Sequence, residues 1–285
     1  MFLSGIVINT ITMFLPLIAI AVYAKLLLLI FWFKTIKSKS ELSLFYCRFV
    51  LDIAFSVALI FNLAPVSVTM LNLTNVFMDY KLFQVLISYP VWVIGSIRAL
   101  LVLIIAVDRF FATYFPIFFF NYRKTIPTWI IIFSVIAYSI PDGLVLFEFC
   151  GMPPDTPPGC LSIRCTLGMC YTNYWLQFEK IVYPMIMFFS LLLLLKLSIW
   201  KNSSQNKSTD FTRANRLALI DTGFLLIFFL VPPVIHANFP GAYDYFGPVN
   251  LTFKTTGFGI ESFLVYANFR KMCQSTTRVR SMTNS

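Results

Sequence analysis

Residues 83–123 read FQVLISYPVWVIGSIRALLVLIIAVDRFFATYFPIFFFNYR, and their pattern decides the fold. From Phe83 to Val107 the only charge is Arg98, after which Asp108-Arg109 closes the apolar run. A run of about 25 such residues is long enough to cross a hydrocarbon layer as a helix and too long for a buried segment of a water-soluble core. Similar runs recur along the chain, and we expect spans at about 8 to 33, 42 to 63, 83 to 107, 126 to 147, 176 to 199, 215 to 237 and 248 to 269, with residues 270–285 as a tail. The composition agrees: of 285 residues 59% are hydrophobic and only 12% charged, with a mean hydropathy of +0.80. The expected fold class is an all-α membrane protein, a seven-transmembrane helix bundle forming one domain over 1–285. The short connections leave no room for a separate soluble catalytic or binding domain.

Charge placement orients the bundle. The net charge of +10 would make nucleic acid a candidate partner for a soluble protein. Here Lys34, Lys37, Lys39, Arg109, Arg123, Lys124, Lys196, Lys201, Lys207, Arg213, Arg216, Arg270, Lys271, Arg278 and Arg280 all fall on one side of the expected membrane, and only Lys81 and Arg164 on the other. The positive-inside rule therefore predicts a cytoplasmic C-terminus and an outside N-terminus, with lipid rather than nucleic acid as the surrounding partner. The apolar start lacks a basic leader and a convincing cleavage site, so it reads as the first span rather than a signal peptide.

The loops provide two checks. Cys150, Cys160, Cys165 and Cys170 lie between the fourth and fifth spans, on the side predicted to be extracellular, and suggest two disulfides in any of three connectivities. No CxxC or histidine framework points to a metal, and no cofactor is expected. Asn72-Leu-Thr74, in the first outer loop, is the better glycosylation sequon.

Asp108-Arg109 at the inner end of the third span, followed by Ala112 and Pro116, resembles the Asp-Arg-Tyr element of rhodopsin-like G-protein-coupled receptors. A closer resemblance, over essentially the whole chain, is to nematode serpentine chemoreceptors of class BC. It is carried by Leu44-Phe45-Tyr46-Cys47-Arg48-Phe49 with Asp52, by Ser96-Ile97-Arg98-Ala99, by Asn121-Tyr122-Arg123, and by Ala214-Asn215-Arg216-Leu217-Ala218-Leu219-Ile220-Asp221. That resemblance implies chemosensation through a heterotrimeric G protein at the plasma membrane of sensory-neuron cilia. The Gα subunit would couple at Asp108, Arg109, Pro116 and Arg123. The chain departs from the rhodopsin-like pattern where Gln84 replaces the outer cysteine of the third span and where Ser262-Phe263 replace the Asn-Pro pair of the last. No acidic partner for Arg109 is evident at the foot of the sixth span.

Ionisable groups within a bilayer are costly unless paired, so each is a functional or structural hypothesis. Arg98 lies about 16 Å above Arg109 along its helix, and Asp52 about 15 Å above the inner start of its own. The matching depth predicts an Asp52–Arg98 ion pair with Arg48, one turn below Asp52, as a second donor. It works either as a conformational switch or as a static pair fixing helix rotation. Asp221 and Glu261, both in the inner half, are expected to anchor a polar network, and Pro232-Pro233 to kink the sixth span.

A ligand must enter between the outer helix ends. Candidate lining residues are Tyr89, Trp92 and Ser96 on the third span, Tyr174, Glu179 and Tyr183 near the fifth, His236 on the sixth, and Lys254 and Phe258 on the seventh. Val91 stands where amine receptors carry an aspartate, which disfavours a biogenic amine and favours a small, weakly charged organic molecule. Two other functions remain in view. A retinal photoreceptor would use Lys254, although the matching position is Thr256; a ligand-gated seven-helix channel would need the opposite loop charge bias. An enzyme is not expected, because His236 is the sole histidine and no facing aspartate pair has a catalytic context.

Overall fold

The computed structural model describes residues 2–33, 42–70, 81–151, 163–201, 219–220, 223–224, 227–228 and 249–283. Among them every regular element is a helix. These are α1 (Phe2–Leu27, continued by a wide π turn over Leu28–Trp32), α2 (Ser43–Met70), α3 (Lys81–Tyr114), α4 (Pro116–Thr125), α5 (Thr128–Ala137), α6 (Ser139–Leu144, continued by a π turn over Val145–Phe149), α7 (Ile163–Lys201) and α8 (Val249–Thr283). Among the described residues five apolar stretches are long enough to cross a membrane: Thr10–Trp32, Ser43–Pro65, Val85–Tyr114, Thr128–Phe149 and Leu167–Lys196.

Polarity is inverted relative to a water-soluble protein. Phe61 and Phe133 are 66% and 68% exposed, whereas Arg48 and Glu261 are 1% and 2% exposed. Aromatic side chains facing outward and charges facing inward suit a hydrocarbon solvent, in which helices satisfy their own backbone groups.

α1 packs on α2 and α8, α2 on α3, and α3 on α7, while α5 fills the outer angle between α2 and α3. The core rises in three storeys. At the end bearing Asp108-Arg109, Tyr23, Phe49, Leu101, Ile105, Val265 and Phe269 interlock, with Tyr23 stacked on Phe49 at 5.2 Å between ring centroids. Phe55, Leu59, Val91, Val182, Ile186 and Phe258 form the middle. Val85, Leu146, Leu167 and Tyr171 close the opposite end.

The fourth and fifth spans depart from simple rods. Pro141 has no N–H to offer the carbonyl of Ala137 and crowds it, so α5 stops there and α6 resumes at Ser139. The helix of the fifth span starts at Ile163, well before the expected Leu176, and contains a break at Gly168, whose φ of 82° favours glycine. Cys170 therefore lies on a helix rather than in a loop. It bonds to Cys150, tying the end of the fourth span to α7 with the Cα atoms 5.6 Å apart. That selects one pairing from those left open; Cys160 and the side chain of Cys165 lie outside the described residues. α8 runs past the expected end of the last span near residue 269; its 35 residues extend about 52 Å, more than the roughly 30 Å of a hydrocarbon core.

Candidate functional site

The deepest polar group joins three helices. On α2, Arg48 and Asp52 are one turn apart, with Arg48 Nε 3.6 Å from Asp52 Oδ2. Arg98 of α3 donates through Nε to Asp52 Oδ1 and through Nη2 to Glu261 Oε2 on α8 at 3.2 Å, while Arg48 Nη2 donates to Glu261 Oε1. Two guanidiniums and two carboxylates thus neutralise one another with all four side chains buried. The arrangement meets the requirement that a charge removed from water be paired with its opposite. Asp52 and Arg98 meet as their depth suggested. Glu261, expected with Asp221 to anchor a polar network, meets both arginines, because α8 packs inside the bundle against α1 and turns this face towards α2 and α3. Asp221 lies outside the described residues. Tyr23 brings a buried hydroxyl from α1 within electrostatic reach of all four.

One storey towards the disulfide, a second ion pair links α7 to α8. Lys254 Nζ donates to Glu179 Oε1 at 3.0 Å, and Tyr183 Oη donates to the same oxygen at 3.1 Å. Lys254 also lies 4.7 Å from the ring centroid of Trp175, which meets Trp92 of α3 edge to face at 4.1 Å. The Arg98 guanidinium lies 4.3 Å from the Phe258 ring centroid and connects the two storeys. Trp92 Nε1, Ser96 Oγ and Trp175 Nε1 are buried without a hydrogen-bond partner among the described residues. Three spans thus bring six expected lining residues together: Trp92, Ser96, Glu179, Tyr183, Lys254 and Phe258. Lys254 faces inward, as a lining residue must. Its ammonium can be buried because Glu179 neutralises it and Trp175 supplies a π face.

Tyr89 takes a different direction from Trp92. Its ring packs edge-on against Phe147 at 5.6 Å, and its hydroxyl lies so close to Gly143 that an added Cβ would meet it at 3.0 Å. There it joins Asp142 of α6, whose Oδ2 accepts from Tyr171 Oη at 2.9 Å, and the hydrogen-bonded pair Tyr138 and Tyr174. Sequence reasoning missed Asp142 and Trp175. Asp142 is an acid within an apolar span, the same signal that singled out Asp52; Trp175 fell just before the expected start of the fifth span.

At the other end, Arg109 donates to Asp108 Oδ2 through Nε at 3.0 Å and through Nη2. Asp108 Oδ1 accepts from Arg123 Nε at 3.1 Å, and Arg123 also donates to the Ile126 carbonyl and to Thr128 Oγ1. Pro116 opens α4, where its missing N–H is harmless, and α4 carries Arg123 back beneath the bundle. The expected kink at Pro232 and Pro233, His236 and the Asn72 sequon lie outside the described residues.

The apolar exterior and the buried ionic storeys place the chain in the class of membrane-spanning helical proteins. Within it, the chain belongs to the serpentine type 7TM GPCR chemoreceptor Srbc family, whose family model matches residues 1–272. A comparison with curated proteins finds no match.

Proposed function

We propose that this chain is a G-protein-coupled chemosensory receptor with its N-terminus outside, taking a small organic ligand at the disulfide end and activating a heterotrimeric G protein at the Asp108-Arg109 end. The observation carrying this reading is the convergence of Trp92, Ser96, Trp175, Glu179, Lys254 and Phe258 from three spans. Their charges cancel, while two indoles and a hydroxyl keep hydrogen-bonding capacity. Such a lining suits a neutral or weakly charged molecule carrying an acceptor. Ligand binding would shift the balance between bundle states and open the inner cleft beside Arg109, where the Gα subunit docks with Pro116 and Arg123. The place of action in this reading is the plasma membrane of sensory-neuron cilia.

Screening chemicals against calcium or cAMP signals in expressing cells tests the whole reading. Within the site, Glu179→Gln or Lys254→Met alone removes one half of a buried ion pair, at a cost of about 3–5 kcal/mol, and is expected to reduce surface expression. The double variant removes both charges and is expected to regain the surface with an agonist potency shifted about tenfold or more. Unchanged potency would exclude this pair from the ligand site. An epitope at Ser285 is expected to stain only after permeabilisation; staining of intact cells would invert the topology and favour the channel. The inward Lys254 beside Glu179 favours retinal as a second reading, which a visible absorbance band after adding retinal to purified protein would put in place of the first.

A further inference from the structure

The buried carboxylates of the described spans follow one rule, with one exception. Asp52, Asp108, Glu179 and Glu261 each touch a lysine or arginine. Asp142 is 1% exposed, and among the described residues no cation pairs with it. One oxygen accepts from Tyr171, while Oδ1 is buried without a hydrogen-bond partner among the described residues. Its surroundings come from three spans. Tyr89, Tyr138 and Tyr171 lie within electrostatic reach of the carboxylate, and Tyr174 bonds to Tyr138 at 2.8 Å. The Cys150–Cys170 bridge ties the two chain segments that carry Asp142 and Tyr171.

We infer that Asp142, with Tyr89, Tyr138, Tyr171 and Tyr174, forms a second ligand site, one that takes a small organic ammonium ion. A carboxylate oxygen without a partner supplies the countercharge that the other buried acids obtain from within the chain. Phenol oxygens that already donate their protons can still accept N–H bonds, and tyrosine rings attract cations through their faces. A primary alkylammonium matches this set: its charge meets Oδ1, its remaining N–H groups meet phenol oxygens, and its alkyl part meets the rings. The site differs from the one around Glu179 and Lys254, where the charges already cancel; Trp92 packs against both groups. It also places an amine-binding acid on the fourth span, where the Val91 comparison on the third could not reveal it.

The test uses full-length receptor in lipid nanodiscs, with unfolding followed in isobutylammonium chloride, in sodium chloride at equal ionic strength, and in isobutanol. Isobutylammonium is expected to raise the unfolding midpoint saturably by a few degrees, and the other two to leave it unchanged. Asp142→Asn is expected to abolish the rise. Tyr89→Leu keeps the acid but removes a ring, and should weaken the apparent affinity about threefold to thirtyfold; this variant decides the matter if Asp142→Asn does not fold. No saturable rise in the unaltered receptor, an equal rise with sodium chloride, or an undiminished rise in both variants would overturn the proposal.

Discussion

Asp52→Asn is expected to remove most receptor from the cell surface, although the change is nearly isosteric. The carboxylate it deletes faces Arg98 and Arg48 across a buried contact, and Glu261 alone would then face two guanidiniums. Leaving a buried charge uncompensated costs about 3–5 kcal/mol, a large part of the roughly 5–15 kcal/mol that keeps a domain folded. Glu261→Gln removes the other carboxylate and is expected to act alike. Exchanging the charges, with Asp52→Arg and Arg98→Asp together, keeps the total charge and is expected to recover part of the delivery. Surface labelling against total protein measures all three. Normal trafficking of Asp52→Asn would show that this ionic group does not support the fold. If the exchanged pair reaches the surface but does not signal, the group also takes part in the change of state.

Arg109→Ala is expected to have the opposite profile. Asp108 keeps the Arg123 contact when Arg109 is removed, so no carboxylate is stranded and surface expression should persist. Ligand-triggered nucleotide exchange should fall tenfold to a hundredfold, about the value of a hydrogen bond from a charged group. Exchange measured in membranes with matched receptor amounts separates this loss from a folding defect. Undiminished exchange would exclude Arg109 from coupling.

The sequence made the bundle legible because apolar runs and charge bias are read over many residues, and single deviations average out. It located Asp52 opposite Arg98 because both depths could be counted from helix ends. The same counting could not join Glu261 to them, since that depends on how α8 is rotated against its neighbours. Trp175 and Cys170 were obscured by the expected start of the fifth span: the helix begins earlier, passing through a break that only Gly168 makes possible. Asp142 needed no geometry to be noticed, only the same rule applied to every acid in a span. Its tyrosine neighbours, drawn from three spans, required the folded chain.

Lys254 and Glu261 sit seven residues apart on one helix, two turns along the same face, and each is matched to a carboxylate or guanidinium on a different neighbour. Heritable variation in such a protein is therefore constrained unequally. In the proposed ligand site Trp92 or Ser96 can change singly and retune ligand preference, whereas position 179 can drift only in step with 254, and 261 only in step with 48 and 98. Diversification of ligand preference across a lineage should accordingly proceed by independent steps on the third helix and by coupled steps between the fifth and seventh.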